Sequence, residues 1–431
     1  MNDFLRLLAK NRNYRYTWFS QVVSEVGDHF NNIAVFALAM DRTRSGMVVT
    51  GVMLSRAIPV MLAGPIAGVV LDRWDRRTVM IASDLVRAVV AAGFLLTLVY
   101  TSNWLLYVLS GLLMFASPFF TAGRSAILPA IATHEELHTA NALTQTTQWV
   151  TLTLGAFAAG KSIASFGYEW AFALNALSFV ASGFAVSRLR GGEGGFRSRK
   201  MALTETDMAR PWHEYREGLA YLSSAPLILG IALVGVGWAT GGGAAQILFS
   251  LFGEVVFDRG ASGIGTIWAF AGIGLVVGAT LAHRLGPSLS FGGYKRAISL
   301  CYVVHGGAYI LFSQAQSFGI ALFYIALSRA AVAVSSVLNV SQLLRHVPDE
   351  YRGRVFATNE TLVWSTMMLS MAIAGVSSQH LEPRTLGAWA GAASASTAIF
   401  WAWADCTGRL PEPAAAGVDP DDIEVHGEVT V

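Results

Sequence analysis

Apolar stretches of about 20 residues recur along the whole chain, and each is long enough to cross about 30 Å of hydrocarbon as a helix. Twelve are read, at 16–40, 46–71, 77–100, 104–123, 143–165, 170–188, 226–251, 263–284, 296–314, 317–343, 353–379 and 386–405. They make the expected fold class an all-α membrane protein with twelve transmembrane helices. Composition agrees: the 431 residues are 54% hydrophobic and only 13% charged, where a soluble globular chain carries roughly 25% charge. One long interior gap, 189–225, is polar and basic, with Gly191, Gly192, Gly194 and Gly195. It divides the runs into two six-helix halves. The expected organisation is a cytoplasmic interfacial segment 1–15, an N-terminal half 16–188, a central cytoplasmic loop 189–225, a C-terminal half 226–405, and an acidic, disordered cytoplasmic tail 406–431.

Orientation follows from the bias of Lys and Arg toward the cytoplasmic side. With the N-terminus inside, 21 of the 30 Lys and Arg fall in inside segments and 4 outside, at Arg42, Arg44, Arg259 and Arg384. The other five, Arg56, Arg87, Arg124, Lys161 and Arg329, lie within runs. This asymmetry predicts a multi-pass protein of the inner or plasma membrane with both termini cytoplasmic. The first run carries Glu25 and Asp28 and no small-residue cleavage site follows it, so it does not read as a cleavable signal peptide. Cys301 and Cys406 are too few for a disulfide framework or a metal site. A net charge of +2 carries no signal for nucleic acid, and none is expected as a partner.

The first run is the most informative. At 100° per residue, Gln21, Glu25, Asp28 and Asn32 fall within about 60° of one another, flanked by Ser24 and Asn31. A charge at mid-membrane costs ~3 kcal/mol on insertion scales. Two carboxylates one turn apart must therefore face a wet cavity, pair with a cation, or carry a proton. Arg56, in the second run, is the nearest cation in sequence. Two readings stand: Glu25 or Asp28 is a proton-coupling or substrate-binding carboxylate, or Asp28 and Arg56 form a fixed pair tying the first two helices together.

Between the second and third runs stands Gly68-Val69-Val70-Leu71-Asp72-Arg73-Trp74-Asp75-Arg76-Arg77. A linker so short and so charged must sit at the membrane surface. Its pattern, Gly-x-x-x-Asp-Arg-x-x-Arg-Arg, resembles the signature loop of the major facilitator superfamily. Further motifs resemble the efflux branch of that family, which contains macrolide exporters, the enterobactin exporter and the lysophospholipid transporter. They are Gln21-x-x-Ser24-x-x-Gly27-Asp28, Arg56-x-x-Pro59, Asp84-x-x-Arg87, Arg124-x-x-x-Leu128-Pro129, Glu136-Leu137-x-x-Ala140-Asn141-Ala142-Leu143, Asn175-x-x-Ser178-Phe179 and Pro348-x-x-x-Arg352-Gly353-Arg354-Val355. The resemblance implies a twelve-helix transporter working by alternating access. It implies that Gly68, Asp72, Arg73, Arg76, Arg77 and Arg124 form a gate latch, with Asp72 capping the eleventh helix in the outward-open state. Asp75 stands where the family pattern has Gly. The stretch Gly155-Ala156-Phe157-Ala158-Ala159-Gly160 resembles the family's antiporter motif without its proline.

The remaining runs offer scattered candidates. Asp84 and Arg87, three residues apart, read as a local pair that snorkels, and Pro129 is expected to stop the fourth helix. The seventh run carries Trp238, Gly241-Gly242-Gly243, which mark a bend, and Gln246; Trp238 and Gln246 are candidate cavity residues. Arg329, Glu360 and Trp364 are candidates in the tenth and eleventh runs, with Arg329 and Glu360 read as pairing or binding substrate. His305 reads as structural. Residues 212–219 read as an amphipathic surface helix. No Gly-x-x-x-x-Gly-Lys-[Ser/Thr] run is present, and no nucleophile–base or metal set is apparent. The expectation is therefore a transporter rather than an enzyme. It needs no cofactor and no metal, is driven by an ion or substrate gradient, and works as a monomer among membrane lipids. It exports a small, partly apolar compound (a drug, antibiotic or secondary metabolite) by proton antiport. The alternative is a siderophore or lysophospholipid carrier of the same fold without proton coupling.

Overall fold

A computed structural model describes residues 3–191, 196 and 206–412. The sequence readings on 192–195, 197–205 and 413–431, including most of the acidic tail, lie outside these. Among the described residues there is no strand. The chain begins with α1 (Asp3–Lys10), α2 (Arg12–Thr43), α3 (Gly46–Arg73), α4 (Arg76–Gly93), the short α5 (Leu96–Val99), α6 (Asn103–Ile131), α7 (His134–Phe166) and α8 (Tyr168–Ser187). After α9 (Thr206–Ser224) come α10 (Pro226–Leu251), α11 (Gly260–Leu285), α12 (Phe291–Gln314), α13 (Phe318–His346), α14 (Asp349–Ser377) and α15 (Pro383–Cys406).

All twelve apolar runs are helices. By length and composition alone, eight spans are apolar enough to cross a membrane: those of α3, α4–α5, α6, α8, α10, α11, α12 and α13. The other four, α2, α7, α14 and α15, are of membrane length or longer but carry polar residues on part of their circumference. Neighbouring helices cover some of these, such as Gln21, Thr151, Thr358 and Ser394, whereas Gln145 and Gln148 of α7 and Glu360 of α14 are exposed. On the outward faces large apolar side chains stand open, among them Val89 at 73%, Trp104 at 74% and Ile399 at 74% exposure. In water such a surface would drive association; in lipid it is the ordinary one.

Helix ends run past the apolar stretches because local capping continues the backbone hydrogen bonds. Asn11 accepts from the Tyr14 amide at 2.9 Å to start α2. Thr133 and Glu136 form a reciprocal capping box that starts α7, nine residues before the apolar run. Pro129 does not stop α6, which continues to Ile131. The ring of a proline forfeits one hydrogen bond and tilts the helix without ending it. The Gly241–Gly243 triplet does not interrupt α10 either. There the bare backbone of Gly241 lets α10 lie against the carbonyl of Ala390 in α15.

The molecule divides into two compact units. The grouping cuts across the 16–188 and 226–405 division. One unit holds the described residues of Met1–Ala202, Gln246–Gly272 and Met371–Pro383. In it α2 packs on α7 and α8, α4 on α6 and α8, and α3 on α6. The end of α10, a π-turn at Phe252–Val256, the first half of α11 and the end of α14 join them. Gly160 of α7 and Gly265 of α11 meet backbone to backbone: a Cβ on Gly160 would lie 2.6 Å from the Ala261 carbonyl, and one on Gly265 would lie 2.9 Å from Gly160 Cα. Small residues give such crossings in a membrane their dispersion contact. The Arg44 guanidinium reaches the buried Glu254 at 3.6 Å within the same unit.

The second unit holds the described residues of Leu203–Ala245, Ile273–Ser370 and Arg384–Val431. Its core gathers Leu227, Ile231, Val234, Tyr294, Ile298, Tyr302 and Trp401. α9 covers the sequence-predicted amphipathic stretch and docks on the start of α14. The Tyr221 and Tyr351 rings stack at 4.7 Å, and Arg354 pairs with Glu217 at 2.8 Å. His305 fills a structural role, bonded to Ser328 Oγ at 2.7 Å and buried.

Gly265→Leu is expected to force α7 and α11 apart and lower the Tm of the detergent-purified protein, with an overpacking cost of ~1–3 kcal/mol or more. The same change at the open Gly353, which meets nothing within 4 Å, should leave Tm nearly unchanged.

Candidate functional site

The polar stripe of α2 faces helices, not lipid. Glu25 is held from three sides. Its Oε1 accepts from Gln21 Nε2 at 2.9 Å and from Arg124 Nη1 at 3.4 Å, and its Oε2 accepts from the Thr151 hydroxyl at 2.8 Å. Gln21 also donates to the Thr144 carbonyl at 3.1 Å, which joins α2 to α7. Arg124 is buried on α6. It borders a small cavity lined also by Tyr14, Trp18, Gln21, Asn141 and Thr144. The sequence grouped Arg124 with the surface loop. The structure puts it beside Glu25 instead, because a guanidinium inside the bundle needs a counter-charge at its own depth.

Asp28 is different. It makes no hydrogen bond or ion pair with any described residue, and its Oδ1 is buried. The Asp28–Arg56 pair does not form. Arg56 directs Nη2 at the Asn32 side chain, lies over the Phe36 ring at 5.7 Å, and leaves a buried Nη1 without an acceptor. Four charges act on Asp28: those of Arg87, Arg56, Glu25 and Asp84.

Asp84 and Arg87 do pair, as the spacing predicts, but they do not snorkel. Asp84 is 0% and Arg87 2% exposed. Ser182 donates to Asp84 at 2.7 Å, and the guanidinium lies between the rings of Phe120 and Phe179, 4.5 and 4.4 Å from their centroids. Two aromatic faces and a carboxylate replace the water this cation lost.

The surface loop is only partly engaged. Gly68, Asp72 and Arg73 are exposed, and Asp72 has no partner among the described residues. Arg76 donates to the Ala126 carbonyl at 2.7 Å, and Arg77 donates to the Ser187 carbonyl. Asp75, where the family pattern has Gly, caps α4. It accepts from the Thr78 amide at 2.9 Å and hydroxyl at 3.1 Å. Its other oxygen takes the Phe196 amide at 2.9 Å. Burial opposes its charge, yet the Thr78 and Phe196 amides, the Thr78 hydroxyl and Arg77 together hold its carboxyl below the usual range.

Among the candidates of the later runs, Trp238 is half-buried with its Nε1 unpartnered. Gln246 is half-buried, and Trp364 is 47% exposed. Arg329 is buried, and its charge acts on His305 and Tyr309. Glu360 is exposed and forms no ion pair with Arg329. Lys161 is exposed near the Phe157 ring. Sequence reasoning missed Thr151, the donor on Glu25, and Asp75 as a cap. An Asp three residues before Thr78 at a helix start was a signal for the second; nothing marked the first.

Membrane-length helices, a charged stripe facing the bundle interior and a short basic surface loop together suit a carrier. Residues 17–368 match the Major Facilitator Superfamily. The chain belongs to that superfamily. This member is a multi-pass membrane transporter with the major facilitator fold. It is 28% identical to an uncharacterized MFS-type transporter, YfiS, of Bacillus subtilis (strain 168), across 83% of this chain and 84% of that one. It is 24% identical to macrolide efflux protein A of Streptococcus pyogenes, across 83% and 86%. The crystal structure of a point mutant of the nucleoside transporter NupG superposes with a TM-score of 0.72 at 12% identity, covering 90% of this chain and 99% of that one. That likeness is one of fold.

Removing one member of the buried Asp84–Arg87 pair leaves the other uncompensated. Asp84→Ala is expected to destabilise the transporter by ~3–5 kcal/mol, and the double variant Asp84→Ala/Arg87→Met by less. Thermal unfolding in detergent reads the order. Asp75→Ala should cost about 1 kcal/mol as a lost cap. The carboxyl of Asp75 is held low in the folded protein. Its contribution is therefore present above the ordinary carboxylate range and lost as pH falls through the lowered value. Wild type and Asp75→Ala should thus converge in Tm on acidification.

Proposed function

We propose that this transporter exports a small, partly apolar compound in exchange for protons, and that Asp28 is the coupling carboxylate. The observation that carries the assignment is the contrast between two acids one turn apart. Anything arriving at Glu25 must displace Gln21, Arg124 and Thr151. Anything arriving at Asp28 displaces no protein partner. A carboxylate that faces the interior without a fixed counter-ion suits alternate occupation by a proton and a substrate group. Export is supported by the similarity to macrolide efflux protein A; the stretch Gly155–Gly160 lacks the proline of the antiporter motif and adds little to it.

The rest of the mechanism follows the fold. Substrate binds near the midplane, and access alternates by rocking of the halves. Trp238, Gln246, Arg329, Glu360 and Trp364 are proposed to contribute the C-terminal side of the path. Asp72 is proposed to engage the start of α14 when the path opens outward, where the positive end of that helix favours an anion. The exposed Arg73 is proposed to rest on anionic headgroups. The excess of Lys and Arg before the first membrane helix, between α3 and α4, in the central loop, and around the α11–α12 and α13–α14 connections supports cytoplasmic termini in the inner or plasma membrane.

Proton release on adding a panel of lipophilic compounds to the purified, reconstituted protein tests the reading. Release is expected from wild type and from Glu25→Gln, and not from Asp28→Asn. Release lost only in Glu25→Gln would move the role to that residue. Binding without release in all three would remove antiport and favour an uncoupled carrier. Asp72→Asn is expected to slow turnover several-fold while leaving the Kd of a bound compound unchanged.

A further inference from the structure

The charges inside the N-terminal helices do not close on themselves. Glu25 is paired with Arg124 and Asp84 with Arg87. Among the described residues buried within these helices, that leaves one anion, Asp28, and one cation, Arg56, with His29 of α2 a further titratable group in the field of Arg56. Each has a buried polar atom with no partner, Asp28 Oδ1 and Arg56 Nη1. They lie within each other's field yet form no ion pair. Asn32, one turn beyond Asp28, takes the other Arg56 nitrogen.

A second set of orphan groups stands beside them. Asn31, three residues beyond Asp28 and so its neighbour on α2, is 1% exposed, and both ends of its amide lack partners. Asn175 of α8 is 0% exposed with the same deficit. Its Oδ1 lies 2.8 Å from where a Cβ on Gly27 would sit. Buried polar groups are almost always satisfied, so a cluster of four unsatisfied side chains points to a ligand that satisfies them.

Ligand charge can be argued from this arrangement. A lone cation answers Asp28 and leaves Arg56 Nη1 bare. A lone anion answers Arg56 and leaves Asp28 Oδ1 without a partner. A neutral apolar molecule answers neither. We infer that the transported compound is a small zwitterion, an amino-acid- or dipeptide-like molecule whose ammonium binds Asp28 and whose carboxylate binds Arg56. Asn31 and Asn175 take its remaining polar groups. This rests on Asp28 being the exchanging carboxylate: as the ammonium docks, the proton held by Asp28 leaves, and no covalent bond is made.

The test uses the full-length protein in detergent and three probes: L-alanyl-L-phenylalanine, its C-terminal amide and its N-acetyl derivative. The zwitterion is expected to bind at least about tenfold more tightly than either capped form, the size of one lost charge-assisted hydrogen bond. Asp28→Asn should erase the preference over the N-acetyl form only, and Arg56→Gln the preference over the amide only. Arg56→Lys, which keeps the charge, should retain most of that second preference and shows that the site is still folded. Equal binding of the zwitterion and either capped form by wild type would overturn the inference, as would no binding of any probe. Proton release measured in the same samples separates the two readings. A capped cation that binds as well as the zwitterion and releases protons sinks the zwitterion but keeps the coupling role of Asp28. Selective zwitterion binding without release does the reverse.

Discussion

The arrangement of the first eight helices depends on how ionised groups are accommodated away from water. Among the described residues of these helices, three carboxylates and three arginines, Glu25, Asp28, Asp84, Arg56, Arg87 and Arg124, project inside helices that lipid surrounds. At ~3 kcal/mol for each charge on insertion scales, they constitute the largest unfavourable contribution the local sequence imposes. Most of the side-chain hydrogen bonding around them offsets it. Arg87 takes a carboxylate and two aromatic faces; Glu25 takes a guanidinium, an amide and a hydroxyl. These contacts join α2 to α6 and α7 through Glu25, and α4 to α6 and α8 through Arg87 and Ser182. The charges therefore also fix which helices are neighbours.

Much of the fold was legible because membrane solvation is a coarse filter. A helix in hydrocarbon needs about 20 apolar residues, and runs of that size can be counted without knowing any contact. All twelve became helices. Their ends were less legible, since past the membrane surface the helix continues on capping and not on apolarity. Thr133 and Glu136 start α7 well before its apolar run. Pro129 was read as a stop because proline usually is one in water; within a packed bundle the neighbours hold α6 through it. Gly241 was read as part of a bend; its missing side chain also serves contact with α15.

The site was legible in its composition and not in its pairing. The spacing of Gln21, Glu25, Asp28 and Asn32 is a property of one helix, so the shared face could be read directly. The partner of Glu25 lies 99 residues away, and its hydroxyl donor 126. No local pattern announces which of five intramembrane cations will come to rest beside it. Sequence proximity pointed to Arg56 for Asp28 and to the surface loop for Arg124, and depth in the bundle decided otherwise. Asp75 carries a related lesson. A departure from the family pattern looked like a weakness in the turn, whereas the carboxylate supplies the cap of α4 and a hold on Phe196.

The unequal treatment of two acids on one stripe follows from these distances. A transporter that trades one occupant for another needs a group that is not already satisfied, because each fixed hydrogen bond to an ionised side chain contributes about 1.5–3 kcal/mol that an incoming ligand must replace. Glu25, with three donors, is better suited to hold α2, α6 and α7 in register than to exchange anything. Asp28 has no such bonds to replace, and it remains within the fields of Arg87 and Arg56. Those two arginines are held by their own partners, Asp84 and Asn32, and neither collapses onto it. The structural pairs thus keep the unpaired acid unpaired. Under the proposed exchange, the residues that look least involved in transport, Asp84, Arg87, Phe120 and Phe179, would be the ones that keep Asp28 available.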